Sequence, residues 1–258
     1  MENWAIILGS SSGFGAAVSK KLAENGINIY GIHLDRKGTM GSVNELIGEL
    51  KCNNVEVIFK NMSATDLEKR KLVINELKSK SNIRVKILLH SLAFGALKPM
   101  IDISNEGVLQ QRQVEMTLDV MANSLVYWTQ DLFNAKLLIK GSHIFAMTSS
   151  GGRKQWKSYG AVSAAKASLE SYCRQLALEL SEHGIAVNAL QAGVTDTPAL
   201  RKIPENEKMI KLALQNNPGK RLTVPEDVAD VVHHLGMSEN SWLTGNTIRI
   251  DGGEDITG

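Results

Sequence analysis

Tyr159 and Lys166 stand seven residues apart in the stretch Tyr-Gly-Ala-Val-Ser-Ala-Ala-Lys. Seven residues make about two turns of a helix, so a phenol and an ammonium would share one face. A lysine cation beside a tyrosine favours the phenolate and lowers the phenol's pKa from its ordinary value of about 10. Such a pair can give a proton to an oxygen that gains negative charge. The spacing alone is equally that of an amphipathic helix, so its meaning depends on the rest of the chain. Ser149 lies ten residues before the tyrosine, with Thr148 beside it, after an apolar run. Either hydroxyl can serve the same oxygen or merely cap a strand end. The offset from Tyr159 favours Ser149.

A second chemical stretch is Gly9-Ser10-Ser11-Ser12-Gly13-Phe14-Gly15. It follows the apolar run of residues 4–8 and precedes a helical pattern reaching about Asn25. Gly9 permits a tight turn, and missing Cβ atoms let backbone approach a pyrophosphate at the helix N-terminus. Ser10, Ser11 and Ser12 add hydroxyl and amide donors, and Phe14 falls on the same turn.

The elements that must position these groups alternate along the chain. Apolar runs at 4–8, 27–33, 55–59, 85–89, 142–147, 185–189 and 247–251 read as strands. Helical patterns lie between them, including a long one over 105–138 and one from 159 to 183. Pro225-Glu-Asp-Val opens another, with proline and acids in the first turn. Alternation of this kind calls for right-handed crossovers and a parallel sheet covered on both faces. The fold class is therefore α/β: a single-domain, Rossmann-like, doubly wound parallel sheet of about seven strands, over residues 1–258. Ligands in such sheets bind beyond the carboxyl ends of the strands, where every chemically interesting stretch falls. The less periodic insertion at about 196–216 carries Leu200, Ile203, Met209, Ile210 and Leu212 and reads as a substrate lid or a surface helix.

The 258 residues are 43% hydrophobic and 22% charged, with a net charge of +2. That balance suits a globular chain with a sizeable core and gives no footprint for nucleic acid or an anionic membrane. Cys52 and Cys173 match no metal or redox spacing, which fits a reducing cytoplasm and no metal. The first apolar run is too short for a signal peptide or a membrane span.

Taken together, these residues resemble the short-chain dehydrogenase/reductase family across essentially the whole chain. The resemblance rests on the Gly9-x3-Gly13-x-Gly15 turn, Asn188-Ala-Leu-Gln-Ala-Gly193, Pro225-Glu-Asp-Val, Leu243-Thr-Gly-Asn and Ile250-Asp-Gly-Gly253. It implies hydride transfer with a nicotinamide cofactor, Tyr159 as acid and Lys166 on the nicotinamide ribose. Most members carry Tyr-x3-Lys, but position 163 is serine here. Tyr-x6-Lys is similar to the divergent branch of enoyl-acyl-carrier-protein reductases. So are Leu89-His90-Ser91-Leu92-Ala93, Met121 in place of a helical asparagine, and Lys166-Ala-Ser-Leu-Glu. Against that branch stand the ordinary glycine spacing and Ser149 where common enoyl reductases carry another tyrosine. A smaller enoyl reductase type keeps those glycines.

The resemblance implies a cofactor path. Asp35 at the end of the second strand can bind a ribose diol, while Arg36 suits a 2′-phosphate. Arg36 with Lys37 tilts the expectation to NADP(H), with NAD(H) as the alternative. Asn61 and Met62 are expected at the adenine, although Asn61 could equally cap the next segment, and Ser91, Leu92 and Ala93 along the cofactor. Gly193, Val194, Thr195 and Thr197 are expected around the nicotinamide. The reaction implied is reduction of an enoyl thioester, with acyl carrier protein as an implied partner. A 3-oxoacyl or other small-ketone reduction and a non-catalytic nucleotide sensor are the alternatives. The family also implies a homodimer or homotetramer.

Overall fold

The computed structural model describes residues 1–103 and 107–257. Seven strands build one sheet: β1 (Glu2–Leu8), β2 (Asn28–His33), β3 (Val57–Asn61), β4 (Ile83–His90), β5 (His143–Ser149), β6 (Ala186–Ala192) and β7 (Thr247–Ile250). Their order is 3-2-1-4-5-6-7, with every pair parallel. Among the described residues eight α-helices accompany them: α1 (Gly13–Glu24), α2 (Met40–Lys51), α3 (Leu67–Ser79), α4 (Gln111–Leu118), α5 (Ser124–Asn134), α6 (Gly160–Leu180), α7 (Asn206–Asn216) and α8 (Pro225–Gly236).

The pleat explains why the strands read as continuous apolar runs. Trp4, Ile6 and Leu8 enter one core with Leu125, Trp128, Leu169 and Leu176 of α5 and α6. Ala5 and Ile7 enter the other, with Val18 and Leu22 of α1 and Val228 and Val232 of α8. Both faces are thus buried, and period-2 alternation is masked. Each fully buried leucine, isoleucine or valine contributes about 1.5–3 kcal/mol. Strand order reverses at β1, so a crevice opens between the carboxyl ends of β1 and β4.

Two expectations change. The helix expected over 105–138 starts at Gln111 (residues 105–106 lie outside the described residues) and is split by a π-helical turn, Asp119–Asn123. That wider turn buries Met121 and Ala122, and the Ser124 hydroxyl donates to the Val120 carbonyl at 2.8 Å. Such bulges often mark functional sites, and Met121 here lines the cavity described below. In addition, β4, β5 and β6 run past residues 89, 147 and 189, because the ladder continues through the pairs His90–Ala146 and Ser149–Ala192. Ser149 is therefore a strand residue with a fixed direction.

Candidate functional site

The glycine turn is a close-packed joint. A Cβ on Gly15 would stand 2.0 Å from the Gly9 carbonyl oxygen, and one on Gly9 would stand 2.4 Å from that of Ser91. Gly9 also has φ +89°. The turn after β1 thereby lies against the chain after β4. Ser10 is buried, its hydroxyl donating to Ile32 at 3.3 Å. Ser12 holds the N-cap of α1 in extended conformation without a side-chain cap bond, and the first turn carries no acid. Its positive end is thus left for an anion. These close backbone approaches fit a dinucleotide pyrophosphate.

At the end of β2, Asp35 is half-buried and Arg36 exposed. The Asp35 carboxylate accepts from the Thr39 hydroxyl at 2.8 Å and lies 3.0 Å from His33 Nδ1. Burial would raise its pKa, but hydrogen bonds from Ser11, Thr39 and His33 hold it below the ordinary carboxylate value. Ser11 thus ties the glycine turn to Asp35. Asn61 braces the same residue, donating to the Asp35 carbonyl at 2.9 Å and accepting from its amide at 3.0 Å. The Met62 side chain is 5% exposed and joins the core. Here the Asn61 side chain is engaged with Asp35 and that of Met62 with the core.

A cavity of about 490 Å³ joins the remaining candidates: Phe14, Ser91, Leu92, Ala93, Ser149, Tyr159, Lys166, Gly193, Val194, Thr195 and Thr197. Gly9, Ser11, Ser12, Gly13, Gly15, Asp35, Arg36, Asn61 and Met62 lie outside it. Its apolar walls include Leu200, Ile203, Met209 and Leu212 of the 196–216 segment, and Leu97 and Met121 opposite.

Tyr159 occupies the N-cap position of α6 rather than the helix itself. Ser149 Oγ is buried and has no hydrogen-bond partner. It faces the phenol closely enough to favour the phenolate, without a closed hydrogen bond. Burial nevertheless raises the Tyr159 pKa above its ordinary value. The expected lowering by Lys166 is not seen, because the Lys166 ammonium is turned onto the Met147 carbonyl at 2.6 Å. Burial pulls Lys166 down to about 8, against the opposing charge of Glu170. The Thr148 hydroxyl is engaged with Glu170 at 2.7 Å, which leaves Ser149 as the free strand-end hydroxyl.

His90 is wholly buried behind this group, with Nε2 2.9 Å from Ser124 Oγ. Burial and the Lys166 charge push its pKa down to about 3, so it is a neutral structural group.

Sequence reasoning missed Glu170 and Glu254. Glu254 closes on Val194: its two carboxylate oxygens accept from the Val194 amide at 3.1 and 3.4 Å. The amide expected to serve a nicotinamide is thus occupied. Thr195 donates its hydroxyl to the Gly193 carbonyl at 3.0 Å, and Thr197 Oγ1 accepts from the Leu200 amide at 3.2 Å. Among the described residues no group of histidine, cysteine and acidic side chains could hold a metal ion, and no helix is long and apolar enough to cross a membrane.

A family model described as enoyl-(acyl carrier protein) reductase matches residues 9–254. The enoyl-acyl-carrier-protein reductase (NADH) FabI of Rickettsia typhi is 29% identical over 221 residues, covering 84% of this chain and 79% of that protein. The 3-oxoacyl-acyl-carrier-protein reductase FabG of Buchnera aphidicola is 26% identical over 254 residues, covering 96% of each. The crystal structure of the Aquifex aeolicus enoyl-acyl-carrier-protein reductase (NADH) superposes with a TM-score of 0.85 at 22% identity, covering 99% of this chain and 97% of that one.

Proposed function

Because the chain belongs to the enoyl-(acyl carrier protein) reductase family of short-chain dehydrogenase/reductases, we propose that it reduces the carbon–carbon double bond of an enoyl thioester. The observation that carries this reading is one cavity in which Tyr159, the unpartnered Ser149 hydroxyl and Lys166 meet apolar walls from residues 200–213. Bound reduced nicotinamide supplies a hydride to the β-carbon. Negative charge then grows on the thioester oxygen. The Tyr159 O–H donates to that oxygen, and the Ser149 O–H gives a second bond. Both stabilise the transition state more than the ground state. A phenol with a raised pKa keeps its proton well above neutrality, as a donor to an anion must. Lys166 exchanges the Met147 carbonyl for ribose hydroxyls when the cofactor enters.

For the cofactor, the position of Asp35 supports NAD(H) over the NADP(H) suggested by Arg36 and Lys37. An ionised carboxylate tied to the glycine turn suits a ribose diol and repels a 2′-phosphate. Residues 196–216 act as the lid over the acyl chain. Acyl carrier protein is the proposed carrier and the cytoplasm the proposed location. Self-association as a dimer or tetramer through the outer faces of α4, α5 and α6 would cover Leu178, which is 71% exposed.

Ketone reduction is the second reading, favoured by Ser149 where a second tyrosine is expected and by the full-length similarity to a 3-oxoacyl reductase. Absorbance at the nicotinamide band with crotonyl and acetoacetyl thioesters decides between them. Oxidation with crotonyl thioester is the expected result. Turnover of acetoacetyl thioester alone would overturn the enoyl assignment, and Tyr159→Phe should abolish turnover while cofactor binding persists.

A further inference from the structure

Glu254 sits in a three-residue turn directly after Gly252 and Gly253, whose φ angles of +62° and +85° bend the chain back toward β6. Its carboxylate lines the catalytic cavity together with Lys166, Gly193 and Thr195. A Cβ on Gly193 would stand 3.0 Å from its Oε2, so the backbone there leaves just enough room for it. The surrounding charges are arranged unequally. Asp255 is held by Arg153, by Lys154 at 2.8 Å and by Arg249 at 3.3 Å. Asp251 is buried and accepts from the Gly253 and Asp255 amides. Among the described residues no lysine or arginine forms an ion pair with Glu254. Its carboxylate accepts from the neutral Val194 amide. Burial, Asp251 and Asp255 all raise its pKa, against the Val194 amide and the more distant Lys154 charge. An unpaired carboxylate in a ligand cavity is stabilised by a ligand that brings positive charge.

We propose that Glu254 discriminates between the two redox states of the cofactor, favouring the cationic oxidised nicotinamide over the neutral reduced ring. The inference rests on the reading of Gly193–Thr197 as the nicotinamide end of the site. Positive charge that develops as hydride leaves is then met by a carboxylate already in place, which speeds reduction of the substrate. A purely structural role, capping the Val194 amide, would leave both redox states bound alike.

The test is Glu254→Gln, which removes the charge and retains a carbonyl oxygen able to accept from Val194. Dissociation constants for NADH, NAD⁺, NADPH and NADP⁺ are measured by calorimetry at pH 8 on wild type and variant. The expected result is a roughly tenfold shift of the oxidised-to-reduced affinity ratio toward the reduced form in the variant. In wild type, the ratio should drift toward the variant's value as the pH is lowered through a range above the ordinary glutamate value. A ratio unchanged in the variant, or both constants moving in parallel, overturns this proposal alone. Wild-type protein that binds none of the four overturns the cofactor reading, and this proposal with it.

Discussion

Burial holds the Lys166 pKa at about 8, so the ammonium loses its proton just above neutrality. Between that value and the unfolded value the native chain binds fewer protons than the unfolded one. Stability should therefore rise, by about 3 kcal/mol if Lys166 acted alone, as pH increases across that window. Below pH 8 the full cost of a buried ammonium is present. The catalytic consequence has the opposite direction. In the proposed role of Lys166, cofactor capture needs the charged form, so kcat/KM for the reduced nicotinamide should fall as pH rises, with an apparent pKa near 8. Lys166→Arg should remove that limb, since a guanidinium stays charged. A pH profile unaltered in the arginine variant would show that some other group titrates there. Tyr159 works the other way at the top of this window: its raised pKa keeps the native phenol protonated where the unfolded one ionises, so its share of the stability falls as pH rises through about 10. The sequence spacing identified both residues but not their mutual geometry. Tyr159 caps α6 instead of lying within it, and Lys166 reaches across to β5.

At the scale of elements, the glycine turn joins β1, α1 and the segment after β4 at distances that admit no side chain. Gly15→Ala would drive a Cβ into the backbone oxygen of Gly9, which cannot turn aside as a flexible side chain could. Overpacking of this kind costs about 1–3 kcal/mol. The same change at Gly48, exposed on α2 with nothing within 4 Å of its Cβ position, should stabilise by about 0.5–1 kcal/mol. Denaturant midpoints should thus move in opposite directions. Cofactor affinity should fall at least tenfold in the Gly15 variant and stay constant in the Gly48 variant. The turn was legible because its glycines are adjacent in sequence and flanked by an apolar run and a helical pattern. The π turn inside the expected long helix was not. Met121, Leu125, Trp128 and Leu132 keep an apolar helical period across it, and one extra residue in a turn leaves no compositional mark. Glu254 was invisible for another reason. Its partner, Val194, lies 60 residues away and meets it only once β6 and β7 pair. Met62 follows β3 and turns its side chain into the core, a direction that its position after the strand does not reveal.

For the whole molecule, the sheet supplies a fixed floor and the proposed lid a movable wall. Two non-glycine residues in left-handed conformation bracket α7: Glu205 at φ +59° and Lys220 at φ +54°. Such conformations carry strain of order 1 kcal/mol or more and gather at segments that move. A hydrogen bond ties the wall to the floor: the Trp156 indole N–H, on the loop before α6, donates to the Pro204 carbonyl at 3.1 Å. Trp156 itself lines the cavity. Trp156→Phe keeps an aromatic wall and removes that donor, at a net cost of about 0.5–1.5 kcal/mol to the closed arrangement. A short substrate makes little contact with Leu200, Ile203, Met209 and Leu212, whereas a long acyl chain needs all four held in place. The variant should therefore raise KM about 2- to 10-fold for a dodecenoyl thioester, with the crotonyl kcat/KM almost unchanged. Steady-state kinetics on the two chain lengths provide the measurement. An equal rise for both would mean that the tie positions the reacting centre itself, and no rise for either would leave residues 196–216 as a static flank of the body.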